Sequence, residues 1–164
     1  MPIGNKDRDF KNYLSAFTDD VGIFQHSKYG VPDRNHGYTT DDNARALILA
    51  VMLYEESNEK KYLKLIYKYL SFIYYALNDR GMFKNFMNYQ REFLETQGSE
   101  DCFGRCMWAL GRTISSPSVP QNIKNTCICI LKKAEKNIET ITYPRAKAYT
   151  IVGLSFLKDS EEMA

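Results

Sequence analysis

Apolar positions along this chain follow two alternating patterns. Near 46–53 ("ALILAVML"), 106–111 ("CMWALG") and 148–156 ("AYTIVGLSF") they run almost unbroken, which predicts helices enclosed on most sides. Between them lie one-sided stretches. In 58–77, Tyr62, Leu65, Ile66, Tyr69, Leu70 and Ile73 recur at helical spacing while Lys60, Lys61, Lys64 and Lys68 take other positions. In the stretch after Pro120, Ile123, Cys127, Ile130, Leu131, Ala134 and Ile138 form a comparable stripe. These are amphipathic helices of an outer layer, each with one wet face.

Punctuation sets the ends. Thr39 or Thr40 caps a helix of about 40–56, with Asp41 and Asp42 in its first turn, where carboxylates oppose the positive helix end. Ser99 caps a second, to about 115, that opens on Glu100 and Asp101, and "SPSVP" (116–120) separates it from the next. A last helix covers about 144–157. Asp79-Arg80-Gly81 signals a turn, and the loose alternation that follows predicts a short β-hairpin or an ordered loop near 82–90.

Each enclosed helix leads to its one-sided partner through a few residues, whereas 78–98 is a long return. Antiparallel neighbours would then bring the N-termini of the enclosed helices to one end, covered by 18–39 and 78–98. A weak repeat agrees: "TTDDNARALILA" lies over "GSEDCFGRCMWALG" with Asp41 on Asp101 and Arg45 on Arg105. A third copy, aligned through Gly111 and Gly153, puts Lys147 beneath Arg105 but Tyr143 in place of the acid. Repeated α-hairpins around a shared inner layer describe a solenoid or toroid. The expectation is one all-α domain over 1–164.

Composition narrows the function. The 164 residues carry 22 Lys plus Arg against 20 Asp plus Glu, a formal charge of +2, which gives no reason to expect a nucleic-acid partner. The longest apolar run, 46–54, falls short of the roughly 20 residues of a membrane span, and "MPIGNKDRDF" lacks the apolar region of a signal peptide. No membrane association and a cytoplasmic location are expected. Cys102 and Cys106 share a helical face while Cys127 and Cys129 point apart, so buried free thiols are expected rather than a four-thiolate cage. His26, Asp33 and His36 lie in a loop at a spacing that fits no compact zinc pattern. Neither a metal nor a cofactor is expected.

The candidate chemistry sits at the enclosed helices' N-termini. Asp41 and Asp101 each precede an arginine by four residues, which suits an intrahelical ion pair, and every one of these acids suits a first helical turn. Doubled acids at two converging ends would also crowd negative charge. Crowding raises one carboxyl's pKa beside an ionised neighbour, the division of labour that glycosidic cleavage needs. Asp41, Asp42, Glu100 and Asp101 are therefore the acid–base candidates, with Arg45 and Arg105 orienting them. From the loops, His36, Tyr38, Asn85 and Tyr89 offer the aromatic faces and polar groups of an oligosaccharide groove.

The stretch "DDVGIFQHSKYGVPDRNHGYTTDDNARALILA", with "GMFKNFMNY", "GSEDCFGRCMWALG" and "YPRAKAYTIVGL", resembles bacterial proteins of the six-hairpin glycosidase-like superfamily, in particular a helical module associated with glycosyltransferases and mannoside processing. The resemblance spans about 19–157 and implies an (α/α) toroid with its sugar site at the N-terminal end of the inner helices. It draws attention to His36, Asp41, Asp42, Arg45, Glu100, Asp101 and Arg105. A complete toroid has six hairpins and this chain supplies about half, which implies a fragment of a longer frame, a homodimer, or a second chain that completes the ring. Two functions follow as expectations: a glycosidase-like module that binds or hydrolyses an oligosaccharide, and a non-catalytic helical scaffold that docks in a glycosyltransferase system.

Overall fold

A computed structural model describes residues 13–158. Five α-helices dominate: α1 (Thr40–Ser57), α2 (Lys60–Ala76), α3 (Glu100–Ile114), α4 (Gln121–Ala134) and α5 (Pro144–Ser155). Their ends follow local chemistry. Thr39, in extended backbone, accepts a hydrogen bond from the Asp42 N–H and caps α1, and Ser99 does the same for α3 through the Cys102 N–H. Asn58, left-handed at φ 53, closes α1 by donating its N–H to the Tyr54 carbonyl. Pro144 opens α5, where a missing N–H costs nothing.

Helices α1, α3 and α5 form an inner row in which α3 packs against both others, while α2 lies against α1 and α4 against α3. The inner helices run parallel. Glu55 and Arg112 join near the C-terminal ends of α1 and α3, and Asp41 meets Arg105 near their N-terminal ends. Between α3 and α5 the approach is close enough that a methyl at Gly111 would lie 2.0 Å from the Gly153 carbonyl oxygen, and one at Gly104 would lie 2.6 Å from that of Ala146. Glycine is required there for backbone proximity. Leu47, Ile66, Ile73, Phe103, Met107, Leu110 and Ile130 fill the space between the rows.

Four short strands decorate the N-terminal end. β1 (Ser27–Lys28) and β2 (Val31–Pro32) form an antiparallel hairpin turned by Tyr29 and Gly30, both at positive φ (52 and 78), the conformation of a type I′ turn. β3 (Tyr38–Thr39) pairs antiparallel with β4 (Phe86–Met87), with Tyr38 opposite Met87 and Thr39 opposite Phe86. Segment 82–90 combines the two expected forms: an ordered loop up to β4, then a tight antiparallel turn in which Met87 bridges Phe93 and the Leu94 N–H donates to the Phe86 carbonyl at 2.9 Å. On its other edge β4 holds the chain just before α1, fastened by the Thr40 N–H donating to the Asn85 carbonyl at 2.9 Å.

Two expectations need correction. The apolar stripe that reaches Ile138 is not one α-helix, because after Ala134 the backbone tightens into the 3₁₀ turn Glu135–Thr140. Cys102, Cys106 and Cys127 are buried free thiols, but Cys129 is exposed. It lies on the wet side of α4, two residues from Cys127 and so on another face. Among the described residues no helix is long and apolar enough to cross a membrane.

Candidate functional site

The acids of α1 and α3 share one end of the molecule, yet they have very different environments. Asp41 has its N–H held by the side-chain carbonyl of Asn85 at 3.1 Å. Its carboxylate lies 2.7 Å from Arg105 Nε and 3.6 Å from Arg45 Nε, with 26% of the side chain exposed. The Arg105 N–H is not aimed at the nearer oxygen, so neither buried atom of that contact has a hydrogen-bond partner. Burial pushes the Asp41 carboxyl above its usual value. Arg105 and Arg45 pull it down, and the charges of Asp42 and Asp101 push it up again.

The other three acids are engaged by specific partners. Asp42 accepts from the Thr39 hydroxyl and pairs closely with Arg45. Asp101 pairs with Arg145 at the start of α5. Glu100 accepts from the Thr142 and Tyr143 N–H groups at 2.7 and 2.8 Å and from the Thr142 hydroxyl at 2.9 Å. The Tyr143 N–H, opposed by burial and assisted by the Thr142 N–H and hydroxyl, holds its carboxyl below the usual range. Glu100 therefore ties down the chain that leads into α5, as an acceptor committed to backbone donors.

The two arginines expected to pair with acids four residues earlier behave differently. Arg45 contacts Asp41 within its own helix. Arg105 does not turn back to Asp101 but crosses to Asp41, its guanidinium lying 4.5 Å from the Tyr149 ring. Asp101 in turn takes its cation from α5. Each of these acids meets an arginine of the next helix of the row, which joins α1 to α3 and α3 to α5 at the shared end. Arg145 was not among the sequence candidates, nor was the stacked pair Trp108 and Tyr149, with centroids 5.7 Å apart.

The loop candidates divide. Asn85 is buried and serves α1 through both its carbonyls. Tyr38 is 3% exposed, donates to Asp19, and is stacked on Phe24 at 5.6 Å. Burial and the Asp19 carboxylate hold its phenol protonated far above the ordinary range. His36 and Tyr89 are exposed, and the Tyr89 hydroxyl donates to the His36 carbonyl. With Tyr38 they line a depression of about 380 Å³. A second depression, of about 520 Å³, is lined by Ser99, Glu100, Asp101 and the α5 entrance Tyr143–Arg145. Asp41, Asp42, Arg45 and Arg105 are brought together as one charge cluster. Asp101 lies close enough to influence it electrostatically, while Glu100 is drawn away toward α5.

His26 and His36 face each other edge to face at 4.5 Å. Among the described residues no group of three His, Cys, Asp or Glu is placed to hold a metal ion. Compared with models of protein families and with curated protein sequences, the chain matches none.

Proposed function

We propose that the N-terminal end of the α1–α3–α5 row is the carbohydrate site of a glycosidase-like module, and that the helical hairpins are part of an (α/α) toroid. The observation that carries this reading is Asp41: a carboxyl mostly withdrawn from water, raised in pKa by that burial, and set beside two arginines and two further acids. Such a group keeps its proton at a pH where an ordinary aspartate has lost it. In the reaction, Asp41 gives that proton to the leaving glycosidic oxygen. The Asp101 carboxylate takes a proton from the water that attacks the anomeric carbon. Arg105 orients Asp41, and Arg145 orients Asp101. Exposed Tyr89 and His36 supply a flat face and a polar edge for a neighbouring sugar ring.

The test is incubation with a panel of manno- and gluco-oligosaccharides, reading the release of new reducing ends. Turnover is expected, with Asp41→Asn lowering kcat by about 100-fold or more. Asp42→Asn, which removes an acid used at the helix cap, should have a much smaller effect. Absence of turnover across the panel would favour a second reading, a non-catalytic helical scaffold that docks in a glycosyltransferase system. One observation supports that alternative: Glu100 and Asp42 are spent on helix ends and neighbouring side chains, as in a purely structural design.

A further inference from the structure

His26 and His36 lie ten positions apart in the sequence, and the backbone brings them together as a cross-strand pair. Phe24 bridges Tyr38 in antiparallel fashion, and the Gln25 N–H donates to the Gly37 carbonyl at 3.1 Å. The next position in that register sets His26 opposite His36. Beyond it the chain is held as well. The Asp33 N–H donates to the His26 carbonyl at 2.9 Å, and residues 33–35 turn back so that the His36 N–H reaches the Asp33 carbonyl at 3.4 Å. The Asp33 side chain pins this turn by accepting from the Asn35 N–H at 3.0 Å, and the His36 carbonyl takes the Tyr89 hydroxyl. Directly opposed residues carry their side chains on one face of a ribbon. The two exposed rings accordingly lie with centroids 4.5 Å apart and planes at 74°.

That spacing suits a shared ion. A late first-row divalent cation binds a neutral imidazole nitrogen at about 2.1 Å. Two such bonds at a right angle set the ring centroids about 4.5 Å apart, which is the separation found here. Both rings are exposed, so each can turn a nitrogen toward the ion without disturbing the core. The surroundings select the type of ion. Asp33 has His36 and Lys28 among its electrostatic neighbours, and Arg34 lies over the Phe24 ring at 4.7 Å. With one acid near two cations, and no group of three metal-binding side chains among the described residues, there is no oxygen cage for Ca²⁺ or Mg²⁺. Imidazole nitrogens suit Zn²⁺, Ni²⁺ or Cu²⁺ instead.

We propose that His26 and His36 form a two-histidine site for a late first-row divalent cation, with water completing the coordination. Because His36 also lines the depression of about 380 Å³, the ion would sit at its rim. This goes beyond the carbohydrate reading and does not depend on it.

Calorimetric titration of the full chain with zinc chloride and with nickel chloride tests the proposal. Saturable binding of a single ion is expected, unchanged by excess Mg²⁺ or Ca²⁺. The chain has 2 histidines, so ring proton–nitrogen NMR reads both, and both should shift together as Zn²⁺ is added. His26→Ala and His36→Ala should each weaken binding by about tenfold or more, since either change ends chelation, with an unchanged circular dichroism spectrum. Cys129→Ser, which removes the exposed thiol, should have no effect. Absence of saturable binding overturns the proposal. So does zinc that shifts one ring alone, binding that survives both histidine substitutions, or binding that is lost with Cys129.

Discussion

At the residue scale, two carboxyls on α1 respond to pH in opposite senses. Asp41 is raised, chiefly by burial. Its folded form favours the proton, so ionisation costs stability as pH rises from the ordinary value of 3.8 through the folded value. Carbon-detected NMR of the side-chain carboxyl should show a midpoint above 3.8. Arg105→Leu should move it higher still, because the strongest opposing influence is removed. Glu55 is lowered, first by its hydrogen bond to Arg112. Its contribution is present above the ordinary value of 4.5 and is lost as pH falls through the folded value. Glu55→Gln should cost about 1 kcal/mol in denaturant unfolding at neutral pH, since the pair is still partly open to water. Well below the folded value the variant and the wild type should be equally stable.

The acids at helix starts were legible in the sequence because caps are local: Thr39 and Ser99 stand next to the groups they serve. The partners of Asp101 and Arg105 were not. An arginine four residues after an acid can fold back along its helix or cross to the next one. That choice is set by interhelical distance, which no local spacing contains. Arg145 was hidden for the same reason, since the repeat register points to Lys147 while the side chain that reaches Asp101 comes from two residues earlier.

At the element scale, the distinction between unbroken and one-sided apolar segments foretold the inner and outer rows. Enclosure is nevertheless incomplete for α5, where Ile151 is 64% exposed because helical neighbours cover α5 chiefly on the α3 side. Strand pairing of β4 with β3 was out of reach, because two residues of alternation do not name partners 47 and 49 positions away. The α3–α5 contact rests on missing side chains. Gly111→Ala would place a methyl against the Gly153 carbonyl, force the helices apart and cost about 1–3 kcal/mol. Thermal unfolding should show a clear drop in Tm. Thr39→Ala, which removes the α1 cap, should cost about 1 kcal/mol in the same assay.

At the scale of the whole molecule, the parallel row gives the two ends of the fold different chemistry. One end gathers Asp41, Asp42, Asp101, Arg45, Arg105 and Arg145, and His36 and Tyr89 line a separate depression beside β3 and β4. The opposite end carries the exposed Asn58 and the Glu55–Arg112 pair. Helix dipoles add to the asymmetry, since the inner N-termini turn their positive ends toward the acids. A sugar ligand should therefore bind at one end only. Amide chemical-shift mapping with the manno- and gluco-oligosaccharide panel measures this directly. The account predicts shifts concentrated in 36–45, 85–89 and 99–105. Shifts concentrated instead around 55–60 and 112–120, or none with any member of the panel, would contradict it.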